Sequence, residues 1–423
     1  MTPGARLQAA IELLDRIASS RQPADQALKA WGAASRYAGS KDRRAVADRV
    51  YACLRSGGGQ GGRRAVLASL AADDRLPRDE IAALFSGEGH APAPLTPEEA
   101  AWLDDQPAPG ALPEFLEAQL GRGFGAEWRE EAHALLHGRA PLDIRVNSLK
   151  AVPGAVSAAF DEMGVAYEPT PLSATGLRLS GSVNLAPINV FKTGALEVQD
   201  EGSQIATWLL GAKPGETVVD YCAGGGGKTL ALGQALRGRG RLIACDLNPR
   251  RLDDIRPRLE RAGVTAQLRR VGPTGDPMTD LVAKADRVLV DAPCSGSGTW
   301  RRRPEEVWRL TPEELKRLHA LQIDILERAA ALVRPGGRLA YVTCSVLPAE
   351  NGDVVQSFAA KHPEFRPLPI TEAAKSDMLT DAARARLAEL AHGGHTVQLS
   401  PRRTGTDGFF IALFERPKVE GNA

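Results

Sequence analysis

The second half of the chain alternates short apolar runs with stretches of helical spacing, and this alternation limits what the chain can fold into. The predicted strands are Thr217–Tyr221, Arg241–Cys245, Arg287–Val290 and Arg338–Thr343. The predicted helices are Ser203–Leu210, Lys228–Leu236, Arg250–Ala262 and Pro312–Leu332. Such alternation predicts a parallel sheet covered by helices on both faces. Phe409–Phe414 would add one antiparallel strand at the end.

The first half of the chain has a different character, and we predict that it forms separate domains. Apolar residues recur at helical spacing from residue 5 to 85, and a stretch rich in Pro, Gly and Ala follows at 86–114. Short strands at Leu142–Asn147 and Leu177–Leu179 flank a helix at Val152–Met163, which indicates a small α+β domain. The predicted domains are a helical domain at 1–90, a linker with connecting helices at 91–125, the α+β domain at 126–193 and the α/β domain at 194–418.

The composition excludes several classes of protein. The net charge of +1 leaves nucleic acid open as a partner, because binding depends on where the charges lie. No apolar run is long enough to span a bilayer, and the first residues lack the apolar core of a signal peptide, so we expect a cytoplasmic protein without membrane contact. The five cysteines show no CxxC spacing, which argues against a disulfide framework and against a metal site.

A glycine-rich turn follows the first predicted strand. It reads Cys222, Ala223, Gly224, Gly225, Gly226 and Gly227, and Lys228 then opens a helix. Glycines let the backbone approach a ligand closely, and a helix N-terminus offers free N–H groups. Asp246, at the end of the next strand, would accept hydrogen bonds from ribose hydroxyls. Together these features indicate a nucleoside-containing cofactor, whereas the loop alone is also compatible with a plain tight turn.

The spacing of this turn departs from two common nucleotide-binding motifs. A P-loop would need glycine where the chain has Cys222, and the dinucleotide fingerprint would need glycine where it has Thr229. S-adenosyl-L-methionine (SAM) is therefore the better candidate for the cofactor.

Two cysteines lie in the turns that follow two predicted strands, and both strands end at the same edge of the sheet. Cys294 follows Arg287–Val290, and Cys344 follows Arg338–Thr343. Both should lie near the cofactor crevice. A thiolate that adds to C6 of cytosine makes C5 nucleophilic. A thiol near the cofactor therefore fits a methyltransferase that acts on C5 by covalent catalysis.

Two further polar residues would serve this chemistry. Asp291 would recognise the polar edge of the cytosine, and Lys228 would favour the thiolate by its charge. The other cysteines, Cys53, Cys222 and Cys245, we expect to be small core residues.

These motifs, in this order, resemble those of the RsmB/Nop2/Sun family of RNA (cytosine-5) methyltransferases, in particular its bacterial RsmB-like members. The matching stretches are ALEVQDEGSQIA (195–206), DYCAGGGGKT (220–229), ACDLNPRRL (244–252), DAPCSGSGTWRRRPEEVWRLTPEEL (291–315), YVTCSVLPAEN (341–351) and TGTDGFFIALF (404–414). The run KDRRAVADRVYACLR near the start resembles a NusB-like helical RNA-binding domain. The resemblance implies a Rossmann-like class I SAM-dependent methyltransferase domain, preceded by a small RRM-like α+β domain and an all-α NusB-like domain.

The resemblance also implies a role for each site residue. Cys344 is the nucleophile, Cys294 promotes product release, and Lys228 and Asp291 line the catalytic pocket. The residues that would hold SAM are Cys222, Ala223, Gly224, Gly225, Gly226, Gly227, Lys228, Asp246 and Asp291. DNA cytosine-5 methyltransferases use the cysteine of the Pro-Cys turn instead, so the presence of both turns favours RNA.

The implied partner is RNA, with ribosomal RNA favoured by the NusB-like start, transfer RNA second, and a monomer as the expected state. The residues predicted to contact RNA are Arg145, Asn147, Arg301, Arg302 and Arg303. Trp300 and Trp308 would offer either stacking surfaces or core packing. A protein-docking role for the N-terminal domain, DNA as the substrate, a different methyl acceptor, and an assembly factor with incidental methylation all stay open.

Four positions depart from the family pattern. Gly224 and Gly225 stand where the family has Ala-Pro, and Gly352 replaces the last residue of a Glu-Asn-Glu motif. An acidic residue expected before the Pro-Cys turn aligns with Gly272, and Asp276 is a nearby candidate to replace it.

Overall fold

A computed structural model describes residues 1–20, 22–57, 61–105, 112–181, 183–272 and 278–418. The chain forms two compact units. The first contains Met1–Gly121, Leu136–Gly138 and Thr299–Thr311, and the second contains Arg122–Leu135, Arg139–Gly298 and the residues from Pro312 onward. Within the described ranges, no helix is both long and apolar enough to cross a membrane.

The helices and strands follow one another as helical, mixed and α/β segments. The helices are α1 (Pro3–Ser20), α2 (Ala24–Ala34), α3 (Ser40–Ser56), α4 (Gly62–Ala72), α5 (Arg78–Leu84), α6 (Pro97–Asp104), α7 (Glu114–Phe124), α8 (Trp128–Leu136), α9 (Pro153–Glu162), α10 (Asn189–Lys192), α11 (Glu201–Leu209), α12 (Gly227–Leu236), α13 (Pro249–Ala262), α14 (Glu305–Arg309), α15 (Pro312–Ala330), α16 (Gly352–Lys361), α17 (Ile370–Ala373), α18 (Asp381–Ala391) and α19 (Pro401–Thr404). The strands are β1 (Leu142–Val146), β2 (Tyr167–Pro169), β3 (Gly176–Leu179), β4 (Leu196–Val198), β5 (Thr217–Tyr221), β6 (Arg241–Asp246), β7 (Gln267–Arg270), β8 (Ala285–Asp291), β9 (Val333–Thr343), β10 (Arg366–Pro367), β11 (Thr396–Leu399) and β12 (Phe409–Glu415).

The first unit is helical around a core shared by α1, α3 and α4. Leu14 and Ile17 of α1 are buried with Val50 of α3 and with Val66 and Leu70 of α4. The spacing of these residues by three or four positions gives each helix one apolar face, and the three faces close on each other. The helical prediction for the N-terminal part holds, while its NusB-like character stays a prediction.

One segment of this helical unit comes from much later in the chain. Thr299–Thr311 belongs to the first unit although it follows strand β8 in sequence. The buried Glu305 side chain accepts a hydrogen bond from the Ala24 N–H at 3.0 Å, at the start of α2. The Trp308 indole N–H donates to the Leu54 carbonyl at 2.7 Å, at the end of α3. The helical unit therefore includes a segment that is far in sequence from its N-terminal helices.

We predict that Glu305→Ala lowers the free energy of unfolding by about 1–3 kcal/mol, because the buried Ala24 N–H loses its acceptor. Chemical denaturation measures this loss, and hydrogen exchange should show it concentrated in α2. Glu306→Ala is the matched control, since the side chain of Glu306 is 34% exposed and pairs with Arg309 of its own helix. A larger loss for the Glu306 variant would contradict the prediction.

The second unit contains a small antiparallel sheet with strand order β2-β3-β1-β4. Ile144 and Val146 of β1 pack with Phe160 of α9 in a separate core, as the predicted α+β domain requires. The fourth strand, at Leu196–Val198, lies just beyond the predicted boundary at residue 193. The boundaries proposed from the sequence stay predictions.

The large sheet has eight strands, seven of them in the order β10-β12-β9-β8-β5-β6-β7, and β11 pairs with β12. β5, β6, β7, β8 and β9 pair in parallel, and β12 pairs antiparallel with β9, β10 and β11. β12 is therefore the one strand that runs against the others in the described sheet, as predicted from Phe409–Phe414. β7, β10 and β11 were not predicted, because they are short or polar.

Neighbouring residues of the central strands pack into cores on opposite faces of this sheet. Val218 belongs to the core on one face and Val219 to the core on the other, and Leu242 and Ile243 divide in the same way. Because strand residues alternate between faces, a sheet covered on both sides needs continuous apolar runs. The chain order reverses between β5 and β8, which places a crevice at the carboxyl edge of the sheet.

Candidate active site at the carboxyl edge of the large sheet

The glycine-rich turn between β5 and α12 has the tight geometry that its sequence predicts. Gly224 and Gly226 adopt left-handed backbone angles, with φ of 56° and 81°. The Ala223 N–H donates to the Cys245 carbonyl at 2.7 Å, which fixes the turn to strand β6. A Cβ atom on Gly226 would lie 3.0 Å from Ile255, so α13 packs tightly against the turn. Bare backbone followed by the N-terminus of α12 fits the cofactor that the sequence predicts.

Asp246 stands at the end of β6, beside this turn. One carboxylate oxygen accepts a hydrogen bond from the Gly224 N–H at 2.9 Å, and the other accepts from the Asn248 N–H at 2.8 Å. The carboxylate is thus fixed next to the loop that it was predicted to serve. In nucleoside-binding folds, a carboxylate at this position accepts hydrogen bonds from the ribose hydroxyls of the ligand.

Two residues that the sequence analysis missed also hold the glycine-rich turn. Arg258 of α13 donates a hydrogen bond to the Gly225 carbonyl and pairs with Glu197 of β4 at 3.0 Å. This guanidinium restrains the turn at a position where the family pattern has proline. Arg258 lies in a helix rich in charged residues, so the sequence carried no signal that separated it from its neighbours.

Asp220 is a third residue that was missed. It is wholly buried at the end of β5, and Thr229 donates a hydrogen bond to it at 2.6 Å. Burial raises the pKa of Asp220 to about 7. Acidic residues are rare inside apolar strands. The position of Asp220 in such a strand, just before the glycine-rich turn, could therefore have identified it as a candidate site residue.

Lys228 and Asp291 form an ion pair at the crevice. Lys228 Nζ lies 2.8 Å from Asp291 Oδ2 and 5.1 Å from the centre of the Phe409 ring. Burial by itself lowers the pKa of Lys228, but the Asp291 carboxylate, with smaller contributions from Cys344 and Asp220, raises it above its ordinary value. Lys228 therefore stays a cation although it is buried.

The two predicted catalytic cysteines lie side by side. Cys294 Sγ is 3.4 Å from Cys344 Sγ, and both residues are half-buried. The Gly298 N–H donates to the Cys344 carbonyl at 2.9 Å and ties the two turns together. The hydrogen bond with Cys344, followed by burial, raises the pKa of Cys294 well above its usual value. The structure thus brings together the four residues predicted to be catalytic.

The remaining cysteines behave largely as predicted core residues. Cys53 and Cys245 are buried, and burial raises the pKa of Cys53 to about 12. Cys222 is half-buried and has a left-handed φ of 69°, within the glycine-rich turn.

Arg145 and Asn147 were predicted to contact RNA, and the structure shows this prediction to be wrong. Arg145 is 1% exposed and donates to Gln199 at 2.7 Å, and burial lowers its pKa to about 10. Asn147 is 2% exposed and donates to the Gly194 and Ala262 carbonyls. Both side chains use their polar groups inside the protein, where they join the small sheet to the large domain.

The Arg301–Arg303 run lies in the first unit. The side chains of Arg302 and Arg303 are exposed and Arg301 is half-buried, so an RNA contact by this run stays a prediction. Trp300 is wholly buried, so it packs in the interior and offers no stacking surface. Gly272 is half-buried, and Asp276 lies outside the described residues.

We predict that Gly226→Ala weakens SAM binding about tenfold or more. A left-handed angle costs a residue with a side chain roughly 1–2 kcal/mol, and the new Cβ would also press on Ile255. Isothermal titration with SAM measures the change. Gly238→Ala is the matched control, because it has a left-handed φ of 69° and no atom within 4 Å of a new Cβ. Equal loss of affinity in both variants would contradict the prediction.

Comparison with known proteins identifies the family. A protein-family model described as 16S rRNA methyltransferase RsmB/F matches residues 207–415. A second family model, described as an RsmF/B-like ferredoxin-like domain, matches residues 112–186. The second match agrees with the predicted small α+β domain. Among solved structures, PH0851 is 27% identical with a TM-score of 0.76, covering 98% of this chain and 99% of that one. A methyltransferase homolog from Pyrococcus horikoshii is 27% identical with a TM-score of 0.59, covering 77% and 100%.

Curated relatives carry the same name in several bacteria. A protein of Synechocystis named probable ribosomal RNA small subunit methyltransferase B is 31% identical over 72% of this chain and 67% of its own length. One of Bacillus subtilis with that name is 30% identical over 72% of this chain, and the match spans 66% of the relative. With the glycine-rich turn and the paired cysteines, these matches show that the chain belongs to the RsmB/Nop2/Sun family of methyltransferases and that its cofactor is SAM.

Proposed function

We propose that this protein methylates C5 of a cytosine in RNA through a covalent bond between Cys344 and C6 of the base. The observation that carries the proposal is the pair of thiols 3.4 Å apart, with the Lys228–Asp291 ion pair at the same edge of the sheet. Methyl transfer to an oxygen or an amine needs no thiol, whereas C5 of cytosine becomes nucleophilic only after addition at C6.

SAM, held by the turn from Cys222 to Lys228 and by Asp246, supplies an electrophilic methyl group when it is bound. The chain's own residues prepare the base to receive it. The target base must leave its stack to enter the crevice, and Asp291 would accept a hydrogen bond from its exocyclic amine. Lys228 favours the Cys344 thiolate by its charge.

The covalent step begins with the Cys344 thiolate. Its sulfur forms a bond to C6 while the electron pair of the C5–C6 double bond moves onto C5. Once C5 carries the methyl group, its proton must leave so that the pair can return to the ring and expel the sulfur.

Cys294 lies where it can serve this second half of the reaction. Its thiol would give its proton to the departing Cys344 sulfur, and the resulting thiolate would accept the proton from C5. Its raised pKa suits this role, because a protonated thiol is available at neutral pH.

Small-subunit ribosomal RNA is the substrate that the names of the curated relatives favour, with transfer RNA as the alternative. A cytoplasmic location is part of the proposal, since free thiols persist in a reducing compartment. The exposed Arg302 and Arg303 would contribute phosphate contacts.

Bisulfite sequencing of total RNA tests the substrate. A deletion strain should lose at least one 5-methylcytosine that the wild-type strain carries, and the gene should restore it. Loss of the mark from ribosomal RNA supports the favoured substrate, and loss from transfer RNA only supports the alternative. If the deletion strain retains every cytosine mark, the proposed function is contradicted. If a Cys344→Ala strain loses the mark but keeps full cellular function, the alternative of an assembly factor with incidental methylation is supported.

Covalent trapping tests the assignment of the two cysteines. With RNA and SAM, Cys294→Ala should accumulate a protein–RNA adduct that survives a denaturing gel, because the methylated base cannot release Cys344. Cys344→Ala should form no adduct, and the double variant should match it. An adduct in the Cys344 variant alone would reverse the two roles.

A further inference from the structure

A single buried carboxylate joins the two cysteine turns. Glu350 is wholly buried, and its Oε1 accepts hydrogen bonds from the Ser295 N–H at 2.8 Å and from Gln322 Nε2 at 3.0 Å. Its Oε2 accepts from the Ser345 hydroxyl at 2.6 Å and from the Ser295 hydroxyl. Glu350 therefore binds the residue directly after each of the two catalytic cysteines.

Glu350 is itself fixed in place. The Tyr341 hydroxyl donates to the Glu350 carbonyl at 2.6 Å, and the residue ends a short turn that begins at Pro348. Within the part of the chain that the structure describes, Glu350 forms no ion pair with a lysine or arginine, so hydrogen-bond donors alone offset its charge. A buried charge is costly without such donors, and the cysteine turns supply three of them.

Different charged groups lie near the two sulfurs. Cys294 faces Cys344, Glu350 and the buried Tyr341 hydroxyl. After the hydrogen bond with Cys344 and burial, the Glu350 carboxylate is a further cause of the raised pKa of Cys294.

Cys344 is the sulfur that faces Lys228. The Asp291 carboxylate is held by that lysine at 2.8 Å, and the buried Asp220 is also near it. Cys294 thus lies by a carboxylate that has no lysine or arginine partner among the described residues, and Cys344 lies by the Lys228–Asp291 ion pair.

We propose that Glu350 is a positioning residue for methyl transfer, which holds both cysteine turns in register and keeps the Cys294 thiol protonated through its negative charge. This inference rests on the proposed function for what each sulfur does to the base. The order in which the two sulfurs ionise, however, is a property of the free protein and can be measured without substrate.

Glu350→Gln removes the negative charge of the side chain while keeping its size. The amide keeps the size of the side chain, its oxygen still accepts two hydrogen bonds, and the Ser295 and Ser345 hydroxyls can rotate to accept from its NH2 group. The negative charge is lost, so the ionisation of Cys294 becomes easier relative to that of Cys344.

The experiment is alkylation by iodoacetamide of the reduced protein across pH 6–9, with each cysteine quantified by mass spectrometry. In the wild type, Cys344 should react faster than Cys294. In Glu350→Gln the ratio of the two rates should fall about tenfold, as a one-unit change in relative pKa implies. In the pH profile of this variant, the reactivity of Cys294 should begin to rise at a lower pH than in the wild type. With RNA, kcat should fall about tenfold, in step with the ratio of alkylation rates, while KM for SAM is unchanged, because the lost charge acts on the two sulfurs in the chemical step and not on the cofactor.

Glu131→Gln is the matched control. Glu131 is also a wholly buried glutamate of the second unit, but it faces Arg403 of α19. Its replacement should change the melting temperature and leave the order of alkylation as in the wild type.

The inference is overturned if Glu350→Gln alkylates like the wild type and only its melting temperature falls, or if Cys294 reacts first in the wild type. If the wild type alkylates as expected but neither methylates RNA nor forms an adduct, the proposed function fails while the role of Glu350 in ordering the thiols stands.

Discussion

The parallel pairing of β8 with β9 is the constraint on which the site depends. Asp291 is in register with Val342, so the two strands release their next residues at the same level of the sheet. The turns that follow therefore bring Cys294 and Cys344 into contact. Each residue of a strand spans about 3.3 Å, so a change of register by two residues would separate the sulfurs by roughly 6–7 Å. The backbone hydrogen bonds between β8 and β9 thus determine the distance between the Cys294 and Cys344 sulfurs, on which the proposed reaction depends.

Two kinds of feature could be predicted from the sequence: strands and helices with a regular apolar pattern, and turns whose backbone geometry requires glycine. Strands β5, β6 and β8 and the second half of β9 each contain a run of mostly apolar residues, because both of their faces are buried. The glycine-rich turn and the two cysteine turns were found because each follows such a strand. Their meeting at one edge follows from parallel pairing, which alternation with helices already implied.

What the sequence could not predict depends on long-range contacts. Arg145 and Asn147 read as surface residues because they are polar, yet Gln199 and the carbonyls of distant segments satisfy them in the interior. Arg258 was indistinguishable from other charges on α13 until its partner, the Gly225 carbonyl, was known. Glu350 belongs to a recognised motif, but its link to both cysteine turns appears only in three dimensions.

The helical unit carries α14, a segment encoded between the two cysteines of the site. A fragment that begins after residue 121 would retain Glu305 and Trp308 but lose the backbone groups of Ala24 and Leu54 that they bind. Removal of the N-terminal helices would therefore leave the buried Glu305 carboxylate and the Trp308 indole N–H without these two partners.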